Sequence, residues 1–233
     1  MAHDLTHELD LLHGATNRLV RTVDDFHGAD WGRPTDLPGW TRAYVVAHLA
    51  LNAEGLTGAL SGIVEAEPRS MYASDEARDD DIAALSAAGT DVLRGRLMAG
   101  TTAFIDAVRA MPGNDWGVAI ERTPGGRTFL AASVVGMRLR EVEIHHADLD
   151  AGYTRHDWPG DFCVVLLDAM AKREWTESFQ ASPADRDGTW SFGGDDGPIV
   201  TGTAADLGWW LTGRGDGEGL ASTRGALPKV GAW

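Results

Sequence analysis

The chain has a single cysteine, Cys163, so no internal disulfide can staple it and its stability must come from packing. It also lacks any uninterrupted apolar run near the roughly 18 residues that a bilayer span requires. Positive charge is scarce: 20 Lys and Arg stand against 35 Asp and Glu, a formal net charge of −15. That balance argues strongly against a sequence-independent nucleic-acid binder, which needs an excess of cations to neutralise phosphates. It disfavours a membrane surface for the same reason. An anionic small substrate would need a local positive pocket working against the global field. The start, Met-Ala-His-Asp-Leu-Thr-His-Glu, has neither the basic nor the apolar stretch of a signal peptide. A cytoplasmic monomer is the expectation. There is no Gly-x-Ser-x-Gly, no phosphate-binding glycine loop, no dinucleotide fingerprint and no His-Glu-x-x-His, so the common hydrolase, nucleotide-binding and zincin signatures are absent.

What is present is helical periodicity. The 233 residues can bury one good core or two small ones. Leu5, Leu9, Leu12, Thr16, Leu19, Val23 and Phe26 recur at spacings of four and three, one stripe of an amphipathic helix. After a loop ending in Leu37-Pro-Gly-Trp-Thr41, Thr41 is the expected N-cap of a second helix running to about Val64. Its core stripe is Val45, Leu49, Asn52, Leu56, Leu60 and Ile63, with His48 at the edge. Residues 67 to 81 read as a connection containing a short helical turn. A third long helix covers Thr90 to Met111 and is stopped by Pro112-Gly113, and Gly125-Gly126 turns between two short apolar pieces. A fourth helix spans about Ala132 to Asp150. Four such helices predict a four-helix bundle over residues 1–153. Residues 154–233 predict a small α+β domain. In it, a helix from Asp161 to about Phe179 precedes strand-like pieces at 188–193 and 198–202. A Thr203-capped helix then ends in Thr212-Gly-Arg-Gly-Asp-Gly217, with Leu220 to Ser222 a last strand.

The residues that carry chemistry lie in Arg140-Glu-Val-Glu-Ile-His-His-Ala-Asp148. Glu141 and His145 are four apart, so one helix stripe offers a carboxylate oxygen and an imidazole nitrogen together. His48, on another helix, is a candidate third ligand. A His2Glu set with one open position has the ligand count of a catalytic zinc. The stripe Arg138, Glu141, His145, Asp148 can equally be a solvated face, and a histidine at a core border can simply be packed there. Spacing alone leaves both readings open. Asp148 is a candidate acceptor for a ligand imidazole, or a salt-bridge partner of Arg138. Arg214, between two glycines, reads as part of a helix cap and turn, or as a guanidinium that bare backbone lets close to an anion. Arg78, in Asp75-Glu-Ala-Arg-Asp-Asp-Asp81, reads as surface pairing. Cys163 lies in an apolar run and reads as a small buried hydrophobe.

Four stretches carry a family resemblance: Gly39-Trp-Thr-Arg-Ala-Tyr-Val-Val-Ala-His48, Met71-Tyr-Ala-Ser-Asp-Glu-Ala-Arg78, Arg140-Glu-Val-Glu-Ile-His145 with Ala147-Asp148-Leu149, and Gly213-Arg-Gly215. Through them the chain resembles the mycothiol-dependent maleylpyruvate isomerases, within the DinB-like metal-binding four-helix superfamily. The first motif is shared by many thiol transferases of that superfamily, whereas the second and fourth favour the isomerase. The resemblance implies a zinc ion on His48, Glu141 and His145, with water or thiolate in the fourth position. It implies a catalytic or substrate-binding role for Arg214 from the C-terminal domain, and a cofactor or substrate contact for Arg78. Glu143 departs from the family, standing where a bulky aromatic is more usual, but it is off the ligand stripe.

The implied reaction is conversion of maleylpyruvate to fumarylpyruvate in the gentisate pathway of aromatic catabolism. A thiolate adds to the cis double bond, the resulting single bond rotates, and the thiolate leaves. With no credible catalytic cysteine, the sulfur would come from mycothiol, a low-molecular-weight thiol that zinc would deprotonate. Two other readings stand beside it. One is a mycothiol S-transferase with the same metal site. The other is a non-catalytic metal-binding bundle whose ion Asp148 or His146 would close as fourth ligand.

Overall fold

The computed structural model describes residues 5–231; the first four residues of the N-terminal segment discussed above lie outside them. The chain divides into two compact units, Met1–Gly152 and Tyr153–Trp233. No helix among the described residues is long and apolar enough to cross a membrane.

In the first unit, α1 (Leu5–Asp24) buries Leu12, Ala15, Leu19 and Val23 along one stripe, as the periodicity predicts. The second helix, α2 (Arg42–Val64), begins at Thr41, whose hydroxyl accepts from the Tyr44 N–H. It is buried nearly all round and packs on α3 (Asp75–Ser86), α4 (Thr90–Ala110) and α5 (Val134–Asp148). Since α1 packs on α4 and α5, the four long helices close a bundle. Between α4 and α5, β1 (Ala119–Glu121) and β2 (Thr128–Leu130) form the hairpin expected around Gly125-Gly126.

Two boundaries in this unit differ from the sequence reading. Residues 75–86 form a twelve-residue helix rather than a single turn. Ser74 caps it and Asp75 and Glu76 occupy its first turn, but only Ile82 and Leu85 are buried, so its periodicity is masked by acidic residues on the outer side. The fourth long helix starts at Val134, because Ala131–Ser133 is a tighter 3-10 turn.

The second unit contains α6 (Gly160–Ala171), β3 (Phe179–Pro183), β4 (Trp190–Phe192), β5 (Ile199–Gly202), α7 (Ala204–Leu211) and β6 (Ala221–Ser222). The strands form one sheet in the order β4-β3-β5-β6, with β3 parallel to β5 and the other pairs antiparallel. The helix expected to reach Phe179 stops at Ala171. Trp175 Nε1 donates to the Met170 carbonyl at 2.8 Å, and Phe179 opens a central strand, stacked on Phe192 at 4.8 Å. From Phe179 on, ladder pairing on both sides of β3 overrides the expected helix.

The register of α2 against α5 is what positions the site. Arg42, 5% exposed, donates through Nε to the Leu149 carbonyl at 2.7 Å and through Nη2 to the Asp150 carbonyl. These are orphan acceptors past the end of α5, where a cation is also favoured by the helix dipole. From the other side, Arg138 of α5 donates to the Leu49 carbonyl of α2 at 2.8 Å. We expect Arg42→Met to keep the apolar stem and destabilise the protein by roughly 2–3 kcal/mol in urea unfolding. A loss below about 0.5 kcal/mol, the range of an ordinary surface substitution, would contradict the clamp.

Candidate metal centre

With that register, one face of α2 presents His48 and, a turn later, Asn52. The facing stripe of α5 presents Arg138, Glu141, His145 and Asp148. Arg138, His145 and Asp148 are buried and Glu141 is half-buried, so the stripe is not a solvated face. His48 Nε2 lies 2.8 Å from Glu141 Oε2, and His145 Nε2 lies 3.4 Å from the same oxygen. One ligand atom from each of the three residues falls within 4.8 Å of the others. Among the described residues, no other His, Cys, Asp or Glu joins this group.

The surrounding bonds set the protonation states. Asp148 Oδ2 is 2.8 Å from His145 Nδ1, an arrangement that keeps the Nδ1 proton in place and turns Nε2 toward the centre. Arg78 Nη2 is 3.2 Å from His48 Nδ1; a guanidinium only donates, so Nδ1 accepts and Nε2 carries the ring proton toward Glu141. Burial pushes His48 down to about 4, against the pull of Glu141, so this ring is neutral at neutral pH. Burial also acts downward on His145, but the hydrogen bonds and charges of Asp148 and Glu141 outweigh it and its pKa is raised above 6.5. For Glu141, burial acts upward, yet the bonds from His145 and His48 hold it well below the usual carboxylate range. Two imidazole nitrogens and an ionised carboxylate are a donor set that fits a divalent ion such as zinc.

Other residues complete the walls. Trp40, from the Gly-Trp-Thr stretch, stacks on His145 at 5.8 Å and 15° and meets His48 edge-on at 5.4 Å. Its place over the imidazoles was not legible among nine tryptophans without a pattern. Asn52 was legible as an anomaly: a polar residue on an apolar stripe, four after His48. It accepts from Arg138 Nη1 at 2.8 Å. Arg78 does more than the surface pairing its acidic neighbours suggest. It pairs with Asp79 at 2.6 Å but also bonds His48, with its side chain 19% exposed. Both residues named as closing ligands are engaged elsewhere: Asp148 with His145, and His146 with the Thr22 hydroxyl of α1 at 2.8 Å. Glu143 is fully buried against α1, paired with Arg18 at 2.6 Å.

Arg214 belongs to the second unit. Gly213 caps α7, its N–H donating to the Trp210 carbonyl at 2.8 Å with φ of 74°, a conformation favouring glycine. The Arg214 guanidinium lies over the Trp209 ring at 5.7 Å, and Nη1 donates to the Thr212 carbonyl at 3.3 Å.

The first unit is thus a helical bundle that gathers two histidines and one carboxylate, a group that could hold a metal ion, between facing helices. The chain belongs to the family of the mycothiol maleylpyruvate isomerase N-terminal domain, whose profile matches residues 12–150. It is similar to a crystal structure of the mycothiol-dependent maleylpyruvate isomerase, with 29% identity and a TM-score of 0.88. It is also similar to the structure of a histidine-to-alanine mutant of that enzyme, with 28% identity and a TM-score of 0.87. Each match covers 100% of this chain and 99% of the other. No curated protein sequence matches the chain.

A metal ion held by these residues would compete with protons for them. The raised pKa of His145 means that its bound proton stabilises the metal-free fold below 6.5, a contribution lost as pH rises through the raised value. Zinc affinity, measured by chelator competition, should therefore climb with pH above 6.5 and level off once His145 has titrated, with protons released on binding. Asp148→Asn should weaken zinc binding by roughly 10- to 100-fold. A pH-independent affinity between 6 and 8 would contradict this assignment.

Proposed function

We propose that this protein is a mycothiol-dependent maleylpyruvate isomerase acting at a zinc ion held by His48, Glu141 and His145. The observation that carries the reading is the three-residue ligand cluster in a chain matched end to end by that enzyme's structure. The metal would lower the pKa of the thiol, and the thiol would supply the reversible addition that lets the cis double bond rotate toward fumarylpyruvate. The reading includes the gentisate pathway of aromatic catabolism as setting and the cytoplasm as location.

The protein's own residues do the rest. Asp148 holds the His145 tautomer, and Trp40 covers both imidazoles and limits water at the centre. Arg78 bonds His48 Nδ1 only while that nitrogen is unprotonated. With the ring proton on Nδ1, its guanidinium turns to the substrate or the cofactor. Arg78 and the buried Arg138 make the local positive field that an anionic substrate needs on a chain of net charge −15. We assign Arg214 to the charge that develops on the substrate during addition; the support is its glycine-flanked motif and the family resemblance.

The test is zinc-loaded protein with maleylpyruvate, with and without mycothiol, followed by fumarylpyruvate formation. Turnover should require the thiol. Arg214→Ala should lower it by about a hundredfold or more while zinc content stays unchanged. Thiol conjugation to an electrophile without isomerisation would move the protein to the S-transferases, and near-normal turnover in Arg214→Ala would remove that residue's role.

A further inference from the structure

The last turn of α7 carries two tryptophans in succession, Trp209 and Trp210, and successive helix residues point about 100° apart. Trp210 belongs to the core: it is 4% exposed and meets the Phe179 ring edge-on at 5.4 Å. Trp209 is only half-buried. Its ring meets Trp158 edge-on at 5.8 Å and carries the Arg214 guanidinium over its face, with Cζ 5.7 Å from the ring centre. That distance is within the roughly 6 Å reach of a cation–π contact. Core packing does not account for a large indole left partly in water beneath a guanidinium.

The backbone that carries Arg214 is seated on the same tryptophan. The Thr212 hydroxyl donates to the Trp209 carbonyl at 2.7 Å, and the Arg214 N–H reaches that carbonyl at 3.4 Å. Gly215, with φ of 66°, passes the edge of the indole so closely that a Cβ there would lie 3.3 Å from Nε1. Gly217 and Gly219 are also left-handed and tightly placed: a Cβ at the first would collide with Leu227, and at the second would come within 2.9 Å of Asp206 Oδ2. The main chain around residue 214 is therefore fixed by close packing. The long, rotamer-rich arginine side chain still has to be restrained, and the indole does so. A contact over the ring draws on the charge of the guanidinium, whereas the N–H bonds that grip an anion lie in its plane. One guanidinium can therefore rest on an indole and bond an anion at once.

We propose that Trp209 is a positioning residue for the reaction: its indole holds the Arg214 guanidinium in the place where it meets the charge that collects on the substrate. The group met there is a carboxylate or enolate oxygen. The proposal rests on the isomerase reading and on the role assigned there to Arg214. A ring suits this task because it restrains a cation without neutralising it, whereas a carboxylate would compensate the charge that the substrate needs.

Two variants separate the face of the ring from its bulk. Trp209→Phe keeps an aromatic face, and Trp209→Leu keeps apolar volume without one. Both are compared with the unaltered, zinc-loaded protein by kcat and KM with maleylpyruvate and mycothiol, and by crystal structures of the Arg214 loop. We expect Trp209→Leu to lower kcat about tenfold and Trp209→Phe to recover most of that loss. Where Arg214 is already alanine, Trp209→Leu should cost less than about twofold. In the crystals the Arg214 guanidinium should leave its place in Trp209→Leu and keep it in Trp209→Phe, with the backbone of 212–219 unchanged in both. Equal rates in the two variants, a further loss of about tenfold in the Arg214→Ala background, or an unmoved guanidinium in Trp209→Leu would overturn the proposal. Failure of Trp209→Leu to fold would overturn it too, since the ring would then be a packing element. If the unaltered protein fails to isomerise maleylpyruvate, the isomerase reading falls, and the crystal comparison still decides whether Trp209 holds Arg214.

Discussion

Everything at this centre depends on the fixed register between α2 and α5, set by two arginines that cross in opposite directions. Arg42 of α2 takes the two carbonyls just past the end of α5, and Arg138 of α5 takes a mid-helix carbonyl of α2. Buried cations are costly to desolvate, and each is tolerated because it meets acceptors that are themselves buried or left over at a helix end. His48 lies between the two ties along α2. A slip of α5 by one residue would turn it by about 100° and carry Glu141 and His145 away from His48. Apolar packing alone is compatible with several such slips, so directional bonds must select one.

Arg138, with Arg78, also resolves an electrostatic tension. A chain with 35 acidic residues and 20 basic ones repels anions at a distance, yet the centre is assigned to an anionic substrate and a thiol. Around the ligand triad, Arg138 and Arg78 stand opposite Glu141 and Asp148. Burial pulls Arg138 down to about 10, still above neutral pH, so its charge persists where water is excluded and fields are strong. The acidic surface is felt weakly at this depth once salt screens it, and the near charges dominate.

The long helices were legible because their apolar residues repeat at three and four, and the closeness of Glu141 to His145 follows from that spacing alone. Juxtaposition of His48 with them was a hypothesis about packing, and the bundle brings the three together. Less legible were features that arise only between elements. The strand from Phe179 is fixed by two neighbours in a sheet. The helix over 75–86 hides a two-residue stripe among acids. Trp40 stands in a motif that marks the family, but its stack on His145 arises between elements and spacing does not announce it. Arg138 looked like one member of a polar stripe, and its burial is made tolerable by bonds to the facing helix. Closeness between site residues on one helix was readable from spacing, whereas the bonds between elements were not.

The central claim is that His48, Glu141 and His145 bind one catalytic ion. Anomalous diffraction from zinc-soaked crystals tests it most directly. The account predicts a single strong peak bonded to His48 Nε2, His145 Nε2 and a Glu141 carboxylate oxygen, at about 2.0–2.2 Å, with a non-protein ligand in the fourth position. A peak elsewhere, or a fourth bond from a protein side chain that closes the site, would contradict it.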